Sequence, residues 1–410
     1  MNNTPELLSP AGDLDKMRFG IAYGADAVYM AGTRFGMRAA ATNFDDNALR
    51  EGIAYAHAHG VKCYITVNIM PSNRDLPALP AYLELLQDAG ADALIIADVG
   101  VLRMARRYAP KVPVHISTQT SILNHEAANY WADEGAERIV LARELSLEEI
   151  AEIRAKTPKE LEIEAFVHGA MCISYSGRCL ISQYMTGRDA NHGACAQPCR
   201  WNYSLMEEKR PGQFFPVEED GRGTYLYNSK DMCMIEHVPE LIEAGITSFK
   251  IEGRNKTAYY AACVTGAYRA AIDTYKKDPE NFVLPQFCRD EVNKVSHREY
   301  YTGFYFGNQE NGQHYGDSQY IREYEVVGMP VECDDSGKAV FALKNRFFDG
   351  EELELIQPGQ VPYVFRAENV TDDEGTKREL FNVPQMRVHF AFPFKVSEWA
   401  ILRKVKERPE

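Results

Sequence analysis

GADAVYM at residues 24–30 returns almost unchanged as GADALII at residues 90–96, and this repeat is the strongest indication of the fold. In each copy a glycine precedes a short apolar run, as expected where a helix ends and a buried strand begins. Five other positions have the same kind of helix breaker: Gly60, Gly135, Gly245, Pro110 and Pro158. The chain therefore repeats a unit in which a helix is followed by a strand.

Eight apolar stretches are predicted as strands that alternate with amphipathic helices. They are residues 6–10, 26–32, 62–68, 92–98, 112–119, 138–144, 162–169 and 248–254. Eight strands in this alternation predict an α/β protein of the (β/α)8 barrel type, similar to a TIM barrel. A doubly wound open sheet is the alternative that the same pattern allows.

A barrel also predicts where the functional site lies, because active sites of this fold form at the carboxyl ends of the strands. Polar residues occur at these predicted ends: Ser9, Asn68, Asp98, Gln119, Arg143, Glu144, His168, Glu252 and Arg254. The segment at 170–245, after the seventh strand, is longer than one helix requires. We expect it to be a long loop that carries a cofactor on the catalytic face.

The chain is predicted to have two domains. Residues 1–300 form the barrel, with the cysteine-rich insertion at 170–245, and residues 301–322 form a linker. Residues 323–405 form a small, barrel-like, all-β domain, in which DDSGK (334–338) between two apolar runs indicates a hairpin. We expect this domain to face a partner or RNA.

Four cysteines lie close together in the insertion: Cys172, Cys179, Cys195 and Cys199. Thiols at this density are usually metal ligands in a protein from a reducing compartment. Only Cys195 and Cys199 have the short spacing of a structural zinc site, so an iron–sulfur cluster fits better than zinc. Reduced, partly buried thiols without a metal are the third interpretation.

The charge of the chain restricts its partners. With 45 Lys and Arg against 59 Asp and Glu, the net charge is −14, whereas nonspecific nucleic-acid binders are normally basic. RNA contact would therefore need a local basic patch. Basic residues do occur near the cysteines and after the eighth strand: Arg178, Arg188, Arg200, Lys209, Arg210, Arg254 and Lys256.

The sequence also predicts the compartment. The amino terminus lacks the pattern of a signal peptide, and no apolar run approaches the ~20 residues of a membrane span. We therefore expect a cytoplasmic protein that does not enter a membrane.

Alternation along two strands predicts one contact inside the barrel. Glu164, Phe166 and His168 share a face of the seventh strand, and Lys250 shares a face of the eighth with Glu252. A charge inside a barrel must be paired, because an isolated buried charge costs several kcal/mol. We therefore expect Glu164 to pair with Lys250 below the catalytic layer.

Several blocks of the sequence resemble a known family. EAFVHGAMCISYSGRCLIS (164–182) is similar to the signature of the collagenase-like peptidases of unassigned catalytic type, the U32 peptidases. The matching residues are Glu164, Phe166, Gly169, Cys172, Gly177, Cys179 and Ser182. Further blocks are LLSPAGD (7–13), CAQPCRW (195–201), NSKDM (228–232) and FKIEGR (249–254). The resemblance covers roughly residues 5–300, and the C-terminal segment looks like the family's accessory domain.

The branch of this family that the chain resembles most hydroxylates tRNA. The resemblance implies prephenate-dependent conversion of a wobble uridine to 5-hydroxyuridine. It also implies a four-iron, four-sulfur cluster held by Cys172, Cys179, Cys195 and Cys199, with Cys233 as an alternative ligand. The partners would be tRNA, a small anionic cosubstrate such as prephenate and a redox partner.

Four further residues are predicted to act in the site: His168, Arg143, Glu252 and Arg254. The two arginines suit a dicarboxylate through bidentate contacts, or they form ion pairs with neighbouring carboxylates. The histidine would bind a substrate carboxylate or transfer a proton, or it simply packs at the end of its strand.

A peptidase, as the family name says, is the second hypothesis. It would need a serine or a cysteine beside a histidine. Clustered cysteines make a poor nucleophile, because they oxidise each other or chelate metal, and the chain has no HExxH motif. A non-catalytic RNA-binding accessory protein is the third hypothesis.

Overall fold

Eight parallel strands close into a barrel. They are β1 (Glu6–Pro10), β2 (Ala27–Met30), β3 (Lys62–Val67), β4 (Ala93–Ile96), β5 (Val114–Ile116), β6 (Arg138–Val140), β7 (Glu162–Ala170) and β8 (Ser248–Ile251). Each strand pairs with the next, and β8 pairs with both β7 and β1, so that Ser248 lies opposite Glu164 and Glu6. This closure confirms the predicted barrel and excludes the open sheet.

The computed structural model describes residues 4–37, 42–172, 174–175, 179–201, 204–206, 214–216, 230–307 and 320–406. Most of the predicted linker at 301–322 lies outside these residues, as do Gly177, Arg178, Asn228, Lys209 and Arg210 from the sequence motifs and basic residues named above. Within the described residues, no helix combines the length and the apolar character that crossing a membrane requires.

Helices follow the barrel strands along the chain. They are α1 (Leu14–Ala22), α2 (Asp46–Ala58), α3 (Leu79–Asp88), α4 (Val99–Tyr108), α5 (His125–Asp133), α6 (Leu147–Ala155), α7 (Ile181–Thr186), α8 (Val238–Glu243), α9 (Ala258–Lys277) and α10 (Gln286–Asn293). The predicted junction glycines all have positive φ: Gly24, Gly60, Gly90, Gly135 and Gly245. Each ends a helix in the left-handed conformation that other residues rarely adopt, which explains the repeat in the sequence.

Charged side chains fill one layer of the barrel interior. Glu164 has no exposed surface, and its carboxylate lies 2.6 Å from Lys250 Nζ and 3.1 Å from Arg138 Nη1. Arg138 also lies 2.6 Å from the carboxylate of Glu6. Burial alone would lower the pKa of Arg138, but Glu164 and Glu6 raise it above its ordinary value. The predicted pair of Glu164 and Lys250 is confirmed, as part of a larger cluster.

The connection between β7 and β8 contains the four clustered cysteines. It holds α7, two short strands that pair with each other (Ser204–Met206 and Phe214–Pro216), and α8. A further strand, Asp231–Cys233, runs antiparallel to the end of β7 and also pairs with Tyr300–Tyr301. The chain thus returns to the barrel beside the strand that it left.

The C-terminal domain is an antiparallel half-barrel with its own apolar core. Its main sheet runs in the order Tyr363–Arg366, Glu352–Ile356, Ile401–Val405, Tyr324–Cys333, Lys338–Leu343, Arg387–Ala391, Thr371–Asp372, and a small second sheet pairs Phe347–Phe348 with Leu380–Phe381. The predicted hairpin is confirmed, because Tyr324–Cys333 and Lys338–Leu343 are antiparallel and Gly337 between them has a φ of 89°.

A buried arginine joins this domain to the barrel. Arg403, on the strand Ile401–Val405, has no exposed surface. Its Nη2 lies 2.5 Å from Glu291 on α10 and 2.6 Å from Glu354 of the C-terminal sheet. Lys294 of the barrel domain also contacts Glu354, at 2.9 Å. Carboxylates of both domains therefore share one guanidinium.

Replacing this arginine tests its part in joining the domains. We expect Arg403→Ala to lower the free energy of unfolding by about 3–5 kcal/mol, because Glu291 would keep a buried charge without its main partner. The matched control is Arg387→Ala in the same sheet, where an exposed arginine pairs with Glu332 and the loss should be small. Urea unfolding and trypsin cleavage between the domains are the measurements. Equal stabilities of the two variants would contradict the role of Arg403.

Candidate active site at the carboxyl end of the barrel

A cavity of about 130 Å³ opens at the carboxyl ends of the strands. Seven of the eight predicted site residues line it: Arg143, Cys172, Cys179, Cys195, Cys199, Glu252 and Arg254. Tyr29, Asn68, Gln119, Phe166 and Lys250 are also in its wall. Residues far apart in the sequence thus meet where this fold places its active sites.

Arg143 lies in the wall of the cavity, and one of its guanidinium donors has no hydrogen-bond partner. It follows β6, is 7% exposed, and its Nη1 donates to the carbonyl of Ala170 at 2.9 Å. The guanidinium carbon lies 4.0 Å from the centre of the Phe166 ring. Among the described residues no carboxylate pairs with Arg143, and its buried Nε has no hydrogen-bond partner. The predicted alternative, an ion pair with Glu144, is therefore not observed.

Two more cations face the same space. Arg254 follows β8, is 4% exposed, and donates to Thr66 Oγ1 at 3.2 Å and to the carbonyl of Met37. Lys250 Nζ lies 4.4 Å from the centre of the Tyr29 ring, besides its contact with Glu164. Burial lowers the pKa of Lys250, although Glu164 acts in the opposite direction. Glu252 is the one carboxylate among the described residues of the wall.

A second donor in the wall also lacks a partner. Gln119 is 1% exposed, and its Oε1 accepts from Ser117 Oγ at 3.0 Å, but its Nε2 donates to no described atom. A buried donor without a partner costs about 1–3 kcal/mol, so such groups usually have a ligand or water. Gln119 and Arg143 both line the cavity, whose charged residues are mostly cations. The wall is suited to a small molecule with anionic oxygens.

The four cysteines share this cavity, and none of them is in a disulfide. Cys172 is exposed, and the other three are partly buried. The segment that carries Cys179, Cys195 and Cys199 rests on the barrel, where Met70 N donates to the carbonyl of Asn191 at 3.2 Å. In the described part of the chain, no three His, Cys, Asp or Glu side chains are arranged as ligands of one metal ion. The donor chemistry fits a thiolate-bound group, since four cysteines outside any disulfide line one cavity.

A glycine of the motif brings β7 and β8 together at the cavity. Gly169 has a φ of 109°, and a Cβ at this position would lie 2.5 Å from the carbonyl oxygen of Glu252. Only glycine combines this conformation with so close an approach. The backbone there is also tied by Glu252 N, which donates to the carbonyl of His168 at 2.8 Å. Gly169 therefore positions Glu252 and Cys172 at the mouth of the cavity.

His168 does not line the cavity. Its ring lies 5.2–6.0 Å from the rings of Tyr260, Tyr268 and Tyr300, behind β7. The expectation that His168 shares a face with Glu164 and Phe166 was wrong, because the pairing with β8 passes from Phe166 directly to His168 and Val167 forms a bulge. The structure thus separates His168 from the other seven predicted residues.

Three other polar residues from the sequence are also placed away from the cavity. Asp98 caps α4, since Val101 N donates to its Oδ1 at 3.0 Å. Ser9 Oγ is buried 2.9 Å from Thr265 Oγ1. Cys233 lies opposite His168 on the antiparallel strand, and burial raises its pKa to about 12. Cys233 is therefore not among the cysteines that face the cavity.

The comparisons with known proteins identify the family. A profile described as Peptidase family U32 matches residues 12–315, and one described as Peptidase family U32 C-terminal domain matches residues 322–403. The chain belongs to peptidase family U32. This confirms the resemblance found in the sequence motifs.

The relatives within family U32 include proteins named for RNA hydroxylation. The chain is 39% identical to tRNA hydroxylation protein P1 of Bacillus subtilis (strain 168), over 98% of this chain and 95% of that protein. It is 38% identical to tRNA hydroxylation protein P of Escherichia coli (strain K12), over 86% of each. It is 40% identical to the 23S rRNA 5-hydroxycytidine C2501 synthase of Escherichia coli (strain K12), over 80% of this chain and about half (48%) of that protein.

The buried histidine predicts a pH dependence of stability. Burial lowers the pKa of His168 to about 3, with smaller contributions from His297 and Lys256. The unfolded chain takes up the proton near pH 6.5, so between about pH 6.5 and 3 the unfolded state binds more protons and the folded state loses stability as the pH falls.

The variant His168→Gln removes this titration. We expect its free energy of unfolding to decrease less steeply than that of the wild type as the pH is lowered. The two slopes should differ by up to about 1.4 kcal/mol per pH unit. Urea unfolding between about pH 7 and pH 5 measures the two slopes. His115, whose pKa burial also lowers, remains in both proteins and keeps some slope in the variant. Identical slopes would show that His168 takes up its proton over the same pH range in the folded state as in the unfolded state.

Proposed function

We propose that this protein hydroxylates tRNA, converting a wobble uridine to 5-hydroxyuridine with prephenate as cosubstrate. The observation that carries the proposal is the cavity, which is lined by three cations, by two residues that each have a buried donor without a partner, and by four cysteines outside any disulfide. The named relatives, which share 38–39% of their residues over most of the chain, supply the reaction class.

The cysteines would hold an iron–sulfur cluster. Cys172, Cys179, Cys195 and Cys199 supply four thiol donors on one side of the cavity. Bound in this way, a four-iron, four-sulfur cluster would have a protein ligand on every iron and would supply electron transfer next to the substrate. The protein's own part is to place the four cysteines in one cavity beside the cationic wall.

The cationic wall would bind the cosubstrate. Prephenate has one carboxylate on its ring and a second at the end of its pyruvyl side chain, and Arg143 and Arg254 offer guanidinium donors of the shape that carboxylates accept. Lys250 at the floor adds a third positive charge, and the rings of Tyr29 and Phe166 provide apolar contact for the ring of the ligand. Gln119 Nε2 remains to donate to a carbonyl or hydroxyl oxygen.

A peptidase site is not supported by the same cavity. A serine or cysteine nucleophile requires a base in hydrogen-bond reach, most often a histidine. Among the described residues of the wall there is no histidine, and His168 lies behind β7. No contact among the described residues of the cavity favours proteolysis. The accessory-protein hypothesis does not explain the unpartnered donors in the wall.

Deletion and complementation test the reaction. We expect a deletion strain to lose 5-hydroxyuridine from its tRNA, as measured by mass spectrometry of digested nucleosides. The wild-type gene should restore it, and Cys172→Ala should not, because a cluster with three thiolates is incompletely ligated. The matched control is Cys333→Ala, an exposed cysteine of the C-terminal domain, which should restore the nucleoside fully.

Anaerobic purification adds a direct measurement. The wild type and Cys333→Ala should contain iron and sulfide in equal amounts and absorb visible light, whereas Cys172→Ala should contain much less of both. Unchanged nucleosides in the deletion strain, together with cleavage of a peptide by the purified protein, would contradict the proposal in favour of a peptidase.

Cosubstrate binding is tested separately with prephenate. We expect Arg143→Leu to weaken prephenate binding by about tenfold or more, because a charge-assisted contact contributes roughly 1.5–3 kcal/mol. The control is Arg106→Leu on α4, an exposed arginine that pairs with Glu134. Calorimetric titration of both variants and the wild type gives the three dissociation constants. Equal constants for Arg143→Leu and the wild type would exclude Arg143 from the binding site.

A further inference from the structure

A second, larger cavity lies between the barrel and the C-terminal domain. This interdomain groove has a volume of about 780 Å³ and includes Cys172 and Glu252, which also line the active-site cavity. Its cationic side chains are Lys256, Arg322, Lys344 and Lys406, and its tyrosines are Tyr259, Tyr260, Tyr320 and Tyr324. The groove therefore leads directly to the mouth of the active site.

The charge of the interdomain groove is opposite to that of the whole chain. Lys256, Arg322, Lys344 and Lys406 face it, against Glu252 and Glu325. Lys404, behind the groove, lies 3.9 Å from the carboxylate of Glu325 and offsets part of its charge. The groove is thus a positive patch on a protein with a net charge of −14. Such a patch attracts a polyanion in a way that the overall charge does not.

Half-buried tyrosines lie among these cations. Lys256 Nζ is 4.4 Å and Arg298 Cζ is 4.6 Å from the centre of the Tyr320 ring. Lys294 Nζ is 5.0 Å from the centre of the Tyr324 ring. Positive charges that track a backbone, combined with aromatic rings on which bases stack, are the features of surfaces that bind single-stranded nucleic acid.

We propose that the interdomain groove binds a single-stranded RNA segment next to the nucleotide that is modified. This inference rests on the proposed function and adds the surface that holds the RNA. One wall belongs to the barrel, with Lys256, and the other to the C-terminal domain, with Lys344. The strand would pass between them and present one base to the cavity past Cys172 and Glu252.

The same features disfavour an acidic peptide as the occupant. A peptide would add a strand to a free sheet edge or place apolar anchors in pockets. The groove instead combines separated cations with tyrosine rings, which fits phosphates spaced along a chain and flat bases between them. The C-terminal domain therefore acts as half of an RNA-binding surface.

The test removes two exposed cations of the interdomain groove in the full-length protein. Binding of a fluorescein-labelled oligouridine of about 12 nucleotides is followed by anisotropy at several salt concentrations. The variant is Arg322→Gln/Lys344→Gln. The matched control is Lys111→Gln/Lys159→Gln, two exposed lysines at the opposite, amino-terminal end of the barrel. Both variants should unfold at the temperature of the wild type, since all four side chains are exposed.

We expect the groove variant to bind about tenfold or more weakly, with the slope of log K against log salt reduced by about 1.4, or 0.7 for each contact. The control should bind as the wild type does. Equal binding by the groove variant and the wild type would overturn the inference and leave the proposed function standing. No binding of the oligouridine by the wild type would also overturn the inference, and the nucleosides of the deletion strain would still decide the proposed function. Loss of binding to an acidic peptide, with RNA binding unchanged, would assign the groove to a protein partner.

Discussion

The Glu164 carboxylate has no exposed surface and lies at the centre of the barrel. The rest of the fold depends on the cations that pair with this buried charge. Lys250 on β8 and Arg138 on β6 supply that compensation, and Glu6 on β1 completes the cluster. These strands surround the seam where the barrel closes. A shift of one residue in the pairing of any of these strands would point a charged side chain into the apolar layer outside the barrel. The ion cluster therefore fixes the register in which these strands pair. Because Lys250 also lines the cavity above, the contact that closes the barrel sets the charge of the active-site floor.

Much of the barrel could be predicted because its signals are local. A glycine such as Gly90 is needed wherever a helix ends in the left-handed conformation, and the apolar run after it is the next strand. The pair of Glu164 and Lys250 followed from alternation along two neighbouring strands. The same alternation failed at His168, because the bulge at Val167 inserts one residue into β7. A bulge depends on pairing with a distant strand, and counting along one strand cannot find it.

Part of the candidate site could likewise be predicted from the sequence, and part could not. The spacing of the cysteines and the polar strand ends pointed to Arg143, Glu252, Arg254 and the thiols, and the structure brings these together in one cavity. Gln119 was among the predicted polar strand ends, but its unpartnered Nε2 could not be predicted, because that depends on every side chain packed around it. Lys250 was expected below the catalytic layer, whereas it also lines the cavity. The interdomain groove could not be predicted either, because Lys256 and Lys344 are far apart in the sequence and belong to different domains.

The buried position of Arg403 has a consequence for any polymer that enters between the domains. Opening the two walls would separate Arg403 from Glu291 and leave the buried Glu291 carboxylate without its main partner, at a cost of several kcal/mol. The spacing of the walls is therefore the same before and after binding, and the loss of conformational freedom falls on the partner alone. A nucleic-acid segment that is already unpaired and bent pays a smaller free-energy cost on binding than a segment that must first leave a double helix. A gap whose width is fixed by Arg403 and the other contacts between the domains thus selects its partners by their flexibility, before any base is recognised.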